Sequence, residues 1–225
     1  MDYVFQFGVV WDHRADLLDG AWLTLRLSFG GFLLGLLLAG LIAYARETGP
    51  LAIRYILRIY IEFIRNTPLL VQLFVLYFSL PVIGVRLDAD IAALVGLILN
   101  FAAYGAEILR GGILSVPQGH IEAARALGLS RWRTFRHVIL LPSLQVAYPG
   151  LAGQFVLLML GSSVVSAISA TDLTAVTNTL QSTTFRSFEF YFTATGLYLL
   201  MALAARLTLA LAYPRLFPAA GRPAR

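Results

Sequence analysis

The chain contains no cysteine and no lysine. Without cysteine there is no disulfide frame and no thiolate-held metal or cluster. All seventeen basic residues are arginine. A Walker A loop needs its lysine to reach the nucleotide phosphates, so this chain has no Walker A loop. Schiff-base and lysine-nucleophile chemistry fall with it. If ATP drives this protein, another chain supplies the ATPase. Charge of either sign is also scarce: 13% of the 225 residues, against 59% hydrophobic. A soluble domain carries roughly 25% charged residues. The shortfall is too large for a water-facing surface and predicts an integral membrane protein built as one unit, residues 1–225. No segment reads as a linker, a low-complexity tract or an internal repeat.

A bilayer core takes about 20 mostly apolar residues per helix. Five stretches qualify: Ala21 to Ala45, about Pro68 to Val85, about Ala89 to Leu109, about Leu144 to Ile168, and about Phe190 to Tyr213. The second is short and holds Pro81, so the chain before Thr67 is expected to continue into it at an angle. Residues 1 to 20 carry Asp2, Asp12, Asp16 and Asp19 against Arg14. A signal peptide begins basic, so the first span reads as a permanent helix.

Arginine counting sets the orientation. Twelve arginines fall on one side, in the connections after the first and third spans and in the tail: Arg46, Arg54, Arg58, Arg65, Arg110, Arg125, Arg131, Arg133, Arg136, Arg215, Arg222 and Arg225. Three fall on the other: Arg14, Arg86 and Arg186. The expected topology has the N-terminus outside and the C-terminus in the cytoplasm, as an odd number of spans requires. The net charge of +5 is accounted for by arginines at the headgroups, with no nucleic-acid partner.

Polar residues within spans are functional candidates, with structural roles competing. Arg26 can snorkel from the first span to the outer headgroups. Asn100, Tyr104 and Glu107 share one face of the third span. Glu107 is three residues before Arg110, which fits an ion pair. Asn100 is deeper, where helix-to-helix hydrogen bonding and substrate contact both remain open. The fourth span holds Gly150, Gly153, Gln154, Gly161, Ser162, Ser163 and Ser166. The small residues suit close helix packing; Gln154 and the serines can also line a polar path. Thr171 to Thr184 follows, with Leu173, Val176 and Leu180 at helical spacing. It reads as a short amphipathic helix on or dipping into the outer surface, with a plain surface loop as the alternative.

The cytoplasmic connection from Gly111 to Gln145 is the most informative stretch. Ser115, three residues before Gln118, has the pattern of a capping box, and Pro117 suits a first helical turn. A helix then carries Ile121, Glu122, Ala123, Ala124 and Leu127. Gly128 is placed to end it in a left-handed cap. Ser130 can cap a second helix bearing Trp132, Phe135 and a basic set of Arg131, Arg133, Arg136 and His137. Pro142 then marks the start of the next span. This helix–Gly–helix unit suits either a docking site for a partner chain or a helix pair lying on the headgroups.

Glu122-Ala123-Ala124, Gly128 and Ile139-Leu140-Leu141-Pro142 resemble the EAA motif of bacterial ABC importer permeases. In that motif nine residues separate the glycine from I-x-L-P; here there are ten. Tyr60 to Leu70 resembles the Y-x-E-x-x-R-x-T-P-L-L stretch of the polar amino acid subfamily. Ala103 to Ile113 is similar to its A-Y-x-A-E-x-x-R-G-G-I, and Val116 to His120 to its V-P-x-G-Q. The resemblance covers roughly residues 17 to 214. One departure is clear. The subfamily's K-D-T-S before L-V-S-x-I-S is replaced by Leu160-Gly161-Ser162-Ser163, so the lysine and aspartate are absent.

The resemblance implies a type I ABC importer permease fold, all-α and with about five transmembrane helices. It implies one of two permease subunits, identical or not, above an ABC ATPase dimer, fed by an extracytoplasmic solute-binding protein, in the bacterial cytoplasmic membrane. Glu122, Ala123, Ala124, Gly128 and Pro142, within a segment of about residues 111–142, would couple to the ATPase. ATP and Mg would sit on that partner, with no cofactor in this chain and no catalytic or metal residue. The subfamily carries polar or charged amino acids. A zwitterion needs hydrogen-bonding groups of both polarities, and Asn100, Gln154, Ser162 and Ser163 are the candidates. A secondary transporter acting alone would need intramembrane acids for ion coupling, and only Glu107 qualifies. An intramembrane enzyme finds no HExxH and no G-x-S-x-G here.

Overall fold

The computed structural model describes residues 3–218; Asp2, Arg222 and Arg225 lie outside them. The described chain is helical throughout. After a short turn of helix, α1 (Gly8–Asp12), the first span is α2 (Arg14–Thr48). Its 35 residues make a helix ~52 Å long, well beyond the ~30 Å hydrocarbon core. Its buried stripe is mostly small: Gly20, Ala21, Thr24, Ser28, Gly31, Gly35, Ala39 and Ala43. At Gly31, Gly35 and Ala39 the stripe lies along α5 (Ala89–Leu114), whose own buried face is rich in alanine and glycine. A Cβ on Gly31 would meet the Leu97 Cβ at 2.9 Å, and one on Gly35 the Phe101 Cβ at 2.9 Å. Close backbone approach of this kind replaces the hydrophobic drive that helices lack in lipid.

The second crossing is broken. Helix α3 (Leu51–Arg65) follows Pro50, and α4 (Leu69–Phe74) follows Pro68. A π-turn (Val75–Ser79) and a 3₁₀ turn (Leu80–Ile83) complete it. The two limbs meet at 108°. A proline disfavours helix at the preceding residue, so Thr67-Pro68 is a natural break. The crossing therefore starts earlier than Pro68, with a long first limb set at an angle.

Beyond α5 come α6 (Gln118–Ala126) and α7 (Arg131–Thr134). A π-turn (Phe135–Ile139) leads straight into α8 (Leu140–Gly161), extended by a 3₁₀ turn (Ser162–Ile168). The expected break before Pro142 is absent: helix runs from Arg131 to Ile168. Pro142 lacks an N–H and sits just after the π-turn, where the backbone pairing has already changed register. A π-turn also holds one residue more than an α-turn, and this one lies within the spacer that is one residue longer than the motif.

Helix α9 (Leu173–Thr184) buries Leu173, Thr177 and Leu180. It packs against both α2 and α10 (Ser187–Leu216), so it is an inserted element and not a surface loop. The main core joins Leu27, Leu73, Leu97, Phe101, Leu151 and Val165. A second cluster around Leu17, Leu173, Leu180 and Phe190 closes the end that carries the N-terminus.

Candidate functional site

The EAA segment forms a free-standing helix with a defined stop. In α6, Glu122 and Ala123 are exposed and Ala124 is buried. Gly128 has φ +76°. The Gly128 N–H donates to the Arg125 carbonyl at 2.9 Å, and the Leu129 N–H to the Ala124 carbonyl at 3.1 Å. That pair of bonds is a Schellman motif, and it needs a left-handed residue at Gly128. The Ser130 hydroxyl then accepts the Arg133 N–H at 3.4 Å and caps α7, as expected. The capping box at Ser115 is not formed. Its hydroxyl donates back to the Gly112 carbonyl at 2.7 Å, and Pro117 occupies the N-cap position. Leu127 and Trp132 are 81% and 62% exposed, so the turn between the helices presents apolar surface outward.

Two contacts tie together the ends of the spans that flank this segment. A Cβ on Gly112 would meet the Ser143 carbonyl oxygen at 2.4 Å, so α5 and α8 touch backbone to backbone there. One turn above, Glu107 takes Arg110 Nη2 at 2.9 Å and also pairs with Arg46 of α2. The Glu107–Arg110 pair is legible at a spacing of three; Arg46, sixty-one residues away in sequence, is not. Pro142 is exposed on the first turn of α8.

The candidate path residues fall into separate groups. Asn100 donates to Gln72 Oε1 at 3.3 Å, and Gln72 Nε2 donates to the Ile64 carbonyl at 2.9 Å and to Thr67 Oγ1 at 2.9 Å. Asn100 thus belongs to the polar knot that stabilises the break between α3 and α4. Gln72 satisfies carbonyls that the break leaves free. Ser162 is buried; its hydroxyl donates to the Met159 carbonyl at 2.7 Å and lies 3.4 Å from the Ser28 hydroxyl. Ser163 donates to the Leu160 carbonyl at 2.9 Å. Gln154 is half-buried and forms no side-chain hydrogen bond among the described residues. No hydrogen bond joins Asn100, Gln154 and the serines to one another. Arg26 is exposed on α2.

Two acids escape the pattern of the spans. Asp172 is fully buried. It accepts the Ala175 N–H at 3.0 Å and the Tyr198 hydroxyl at 3.1 Å, which caps α9 and ties it to α10. Burial pushes its carboxyl above the usual range, against the pull of the N–H groups of Ala175 and Thr174 and the Tyr198 and Thr174 hydroxyls. Its sequence signal is an aspartate just before Leu173, the N-cap preference. Glu189 is also fully buried. It accepts the Tyr3 hydroxyl at 2.5 Å and the Gln6 N–H at 2.9 Å, clamping the N-terminal segment to α10.

Comparisons with known proteins agree with this geometry. Residues 31–218 match the model of the binding-protein-dependent transport system inner membrane component. The glutamine transport system permease protein GlnP of Escherichia coli is 35% identical over 201 residues, which cover 88% of this chain and 92% of that protein. The octopine transport system permease protein OccM of Rhizobium meliloti is 38% identical over 208 residues, covering 88% and 85%. A crystal structure of an amino acid ABC transporter with histidines superposes with a TM-score of 0.88 at 34% identity, covering 95% of this chain and all of that one. Family membership carries with it a separate ATPase and a substrate-binding protein as working partners, and it accounts for the absent Walker A lysine. The chain belongs to the binding-protein-dependent transport system inner membrane components, a multi-pass permease family and not an enzyme.

Proposed function

We propose that this chain is a permease subunit of an ATP-driven importer for polar or charged amino acids, coupled to its ATPase through α6. The observation that carries this is the exposed EAA helix, stopped by a left-handed glycine and set between α5 and α8, which touch backbone to backbone at Gly112 and Ser143. The names of the relatives, glutamine and octopine permeases among them, support the substrate class. Arginine bias supports a cytoplasmic α6 and an outside N-terminus. ATP and Mg belong to an ABC ATPase dimer that receives Glu122, Ala123 and Ala124, with Gly128 and Pro142 holding the segment in shape. Closure of that dimer moves α6 and tips the spans between inward-open and outward-open, a two-state equilibrium biased from distant sites.

A second permease subunit, identical or different, completes the path. The absent lysine–aspartate pair before Ser162 favours a partner that keeps it. Asn100, Gln154, Ser162 and Ser163 are the substrate-path residues of this reading. The test is a pulldown of the tagged chain in mild detergent, with uptake measured in vesicles. Glu122→Lys and Gly128→Val are expected to insert normally but to lose ATP-driven uptake, and Glu122→Lys to lose the co-purifying ATPase. Normal uptake by both variants would refute the coupling role; recovery of the chain alone, with ATP-independent uptake, would refute the importer.

A further inference from the structure

Helix α3 has three faces, and the bundle uses one of them. At about 100° per residue, Leu57, Tyr60, Ile61 and Ile64 share a sector. Ile61 and Ile64 pack there with Ala39 and Ile42 of α2 and with Ala102, Ala103 and Ala106 of α5. Arg54, Arg58, Glu62 and Arg65 fill the sector on one side of it. Ile56, Ile59 and Phe63 fill the sector on the other side, and they are 63%, 53% and 63% exposed. None of the other long helices is so sharply divided between an apolar and a charged side.

The helix also stays close to one level of the membrane. It begins after Pro50, four residues beyond Arg46, and Arg46 pairs with Glu107. It ends at Arg65, whose carbonyl accepts the Tyr104 hydroxyl at 3.4 Å. Tyr104 precedes Glu107 by three residues, ~4.5 Å along α5. The 15 residues of α3 make a helix ~22 Å long, so most of that length runs sideways. The bend of 108° into α4 agrees: α4 enters the bilayer and α3 lies across its edge. Arginine bias puts this edge at the cytoplasmic headgroups. A helix packed sideways on the bundle, with a basic flank and a bare apolar flank, has the build of an interfacial helix. Arg65 is turned inward, its guanidinium 5.3 Å from the Tyr104 ring centroid. Arg54 and Arg58 are exposed and form no salt bridge among the described residues.

We propose that α3 is a docking surface for anionic phospholipid of the cytoplasmic leaflet, with Arg54 and Arg58 holding headgroup phosphates and Ile56, Ile59 and Phe63 seated among the acyl chains. Charge complementarity names the occupant. The polar flank carries three arginines against one glutamate. A guanidinium fork matches a phosphate, and a headgroup with net negative charge adds no cation of its own to oppose it. The consequence lies at the break that follows. Gln72 ties the end of α3 to the start of α4 through the Ile64 carbonyl and Thr67, so lipid that holds α3 in the interface also fixes where the second crossing begins. This goes beyond the importer reading and needs only the orientation.

The test uses the assembled transporter in nanodiscs of phosphatidylcholine with phosphatidylglycerol. The chain has no cysteine, so Phe63→Cys and Ile59→Cys each carry one environment-sensitive fluorophore, and wild type treated alike gives the background. The probes are the two lipids spin-labelled on the acyl chain, used one at a time at equal mole fraction. Both labels are expected to be quenched, and more strongly by spin-labelled phosphatidylglycerol. Arg54→Gln and Arg58→Gln are expected to lower that preference by about fivefold each, and high salt is expected to weaken it. Arg54→Lys and Arg58→Lys are expected to keep it, which separates charge from a structural role. Equal quenching by the two lipids would overturn the proposal. So would the absence of quenching at both positions, because the apolar flank would then be covered by protein, a second permease subunit above all. Failure of both labelled variants to assemble would overturn it for the same reason. No uptake is measured, so the result stands apart from the importer reading.

Discussion

At the scale of single residues, Asp172 shows how one buried carboxyl sets a measurable pH dependence. Its folded-state pKa is raised by burial above its ordinary value of 3.8. The native state therefore holds this proton more tightly than the unfolded state does. By linkage, the contribution is most favourable below 3.8 and is lost as pH rises through the elevated value. Asp172→Asn keeps an oxygen for the Ala175 N–H and removes the charge, so it is expected to flatten this dependence and to match or exceed wild-type stability at neutral pH. Asp172→Ala is expected to cost about 1 kcal/mol for the lost cap, while the Tyr198 hydroxyl keeps its partner in the Thr174 hydroxyl at 2.9 Å. Thermal unfolding in detergent across about pH 4 to 7 checks both variants, and an unchanged slope for Asp172→Asn would refute the account. Gly112 is the second residue-scale case. Ala at this position would bring a methyl to 2.4 Å from the Ser143 carbonyl oxygen, so α5 and α8 must separate. Gly111, with nothing within 4 Å, accepts alanine freely.

At the scale of elements, the segment between Gly128 and Pro142 shows what a sequence conveys and what it hides. Helix, glycine stop and Ser130 cap were legible because each is a local signal within a few residues. The capping box failed for a local reason as well: Pro117 took the N-cap position and Ser115 bonded backward to Gly112. The continuity of Arg131 to Ile168 was not legible, because a proline normally reads as a boundary and the π-turn has no simple signature. The bridge from Arg46 to Glu107 was hidden for a different reason: it joins two spans whose register only packing fixes. That bridge supports a prediction. Glu107→Gln removes the carboxylate that Arg46 and Arg110 share, a loss of about 1.5–3 kcal/mol for hydrogen bonds to charged groups. It is expected to loosen α2 from α5, so that ATP hydrolysis persists while uptake per ATP falls. Glu107→Asp is expected to retain most coupling. Equal uptake per ATP in wild type and Glu107→Gln would show that the bridge transmits nothing.

At the scale of the whole molecule, the spans were readable because about 20 apolar residues in a row have few other uses. The angled entry to the second crossing followed from its short length and its prolines. Which candidate polar residues meet was not readable, since contact across spans depends on rotation about each helix axis. Asn100 met Gln72, a polar residue inside the second apolar stretch whose partner nothing in the sequence names, and Ser162 met Ser28. The orientation in the bilayer rests on arginine asymmetry, twelve against three, and the absence of cysteine makes it directly testable. A single introduced thiol is the only one in the chain. Leu127 and Phe185 are 81% and 85% exposed, and they stand at opposite ends of the bundle. Leu127 ends α6 beside the EAA residues, and Phe185 ends α9 beside the N-terminal clamp. With the N-terminus outside, Phe185→Cys is expected to react with a membrane-impermeant maleimide in spheroplasts. Leu127→Cys is expected to react only after the membrane is opened, and more slowly when the ATPase is bound to α6. Reaction of Leu127→Cys in sealed spheroplasts would invert the topology. It would also place the EAA helix out of reach of any cytoplasmic ATPase, so one labelling experiment tests the orientation and the coupling mechanism together.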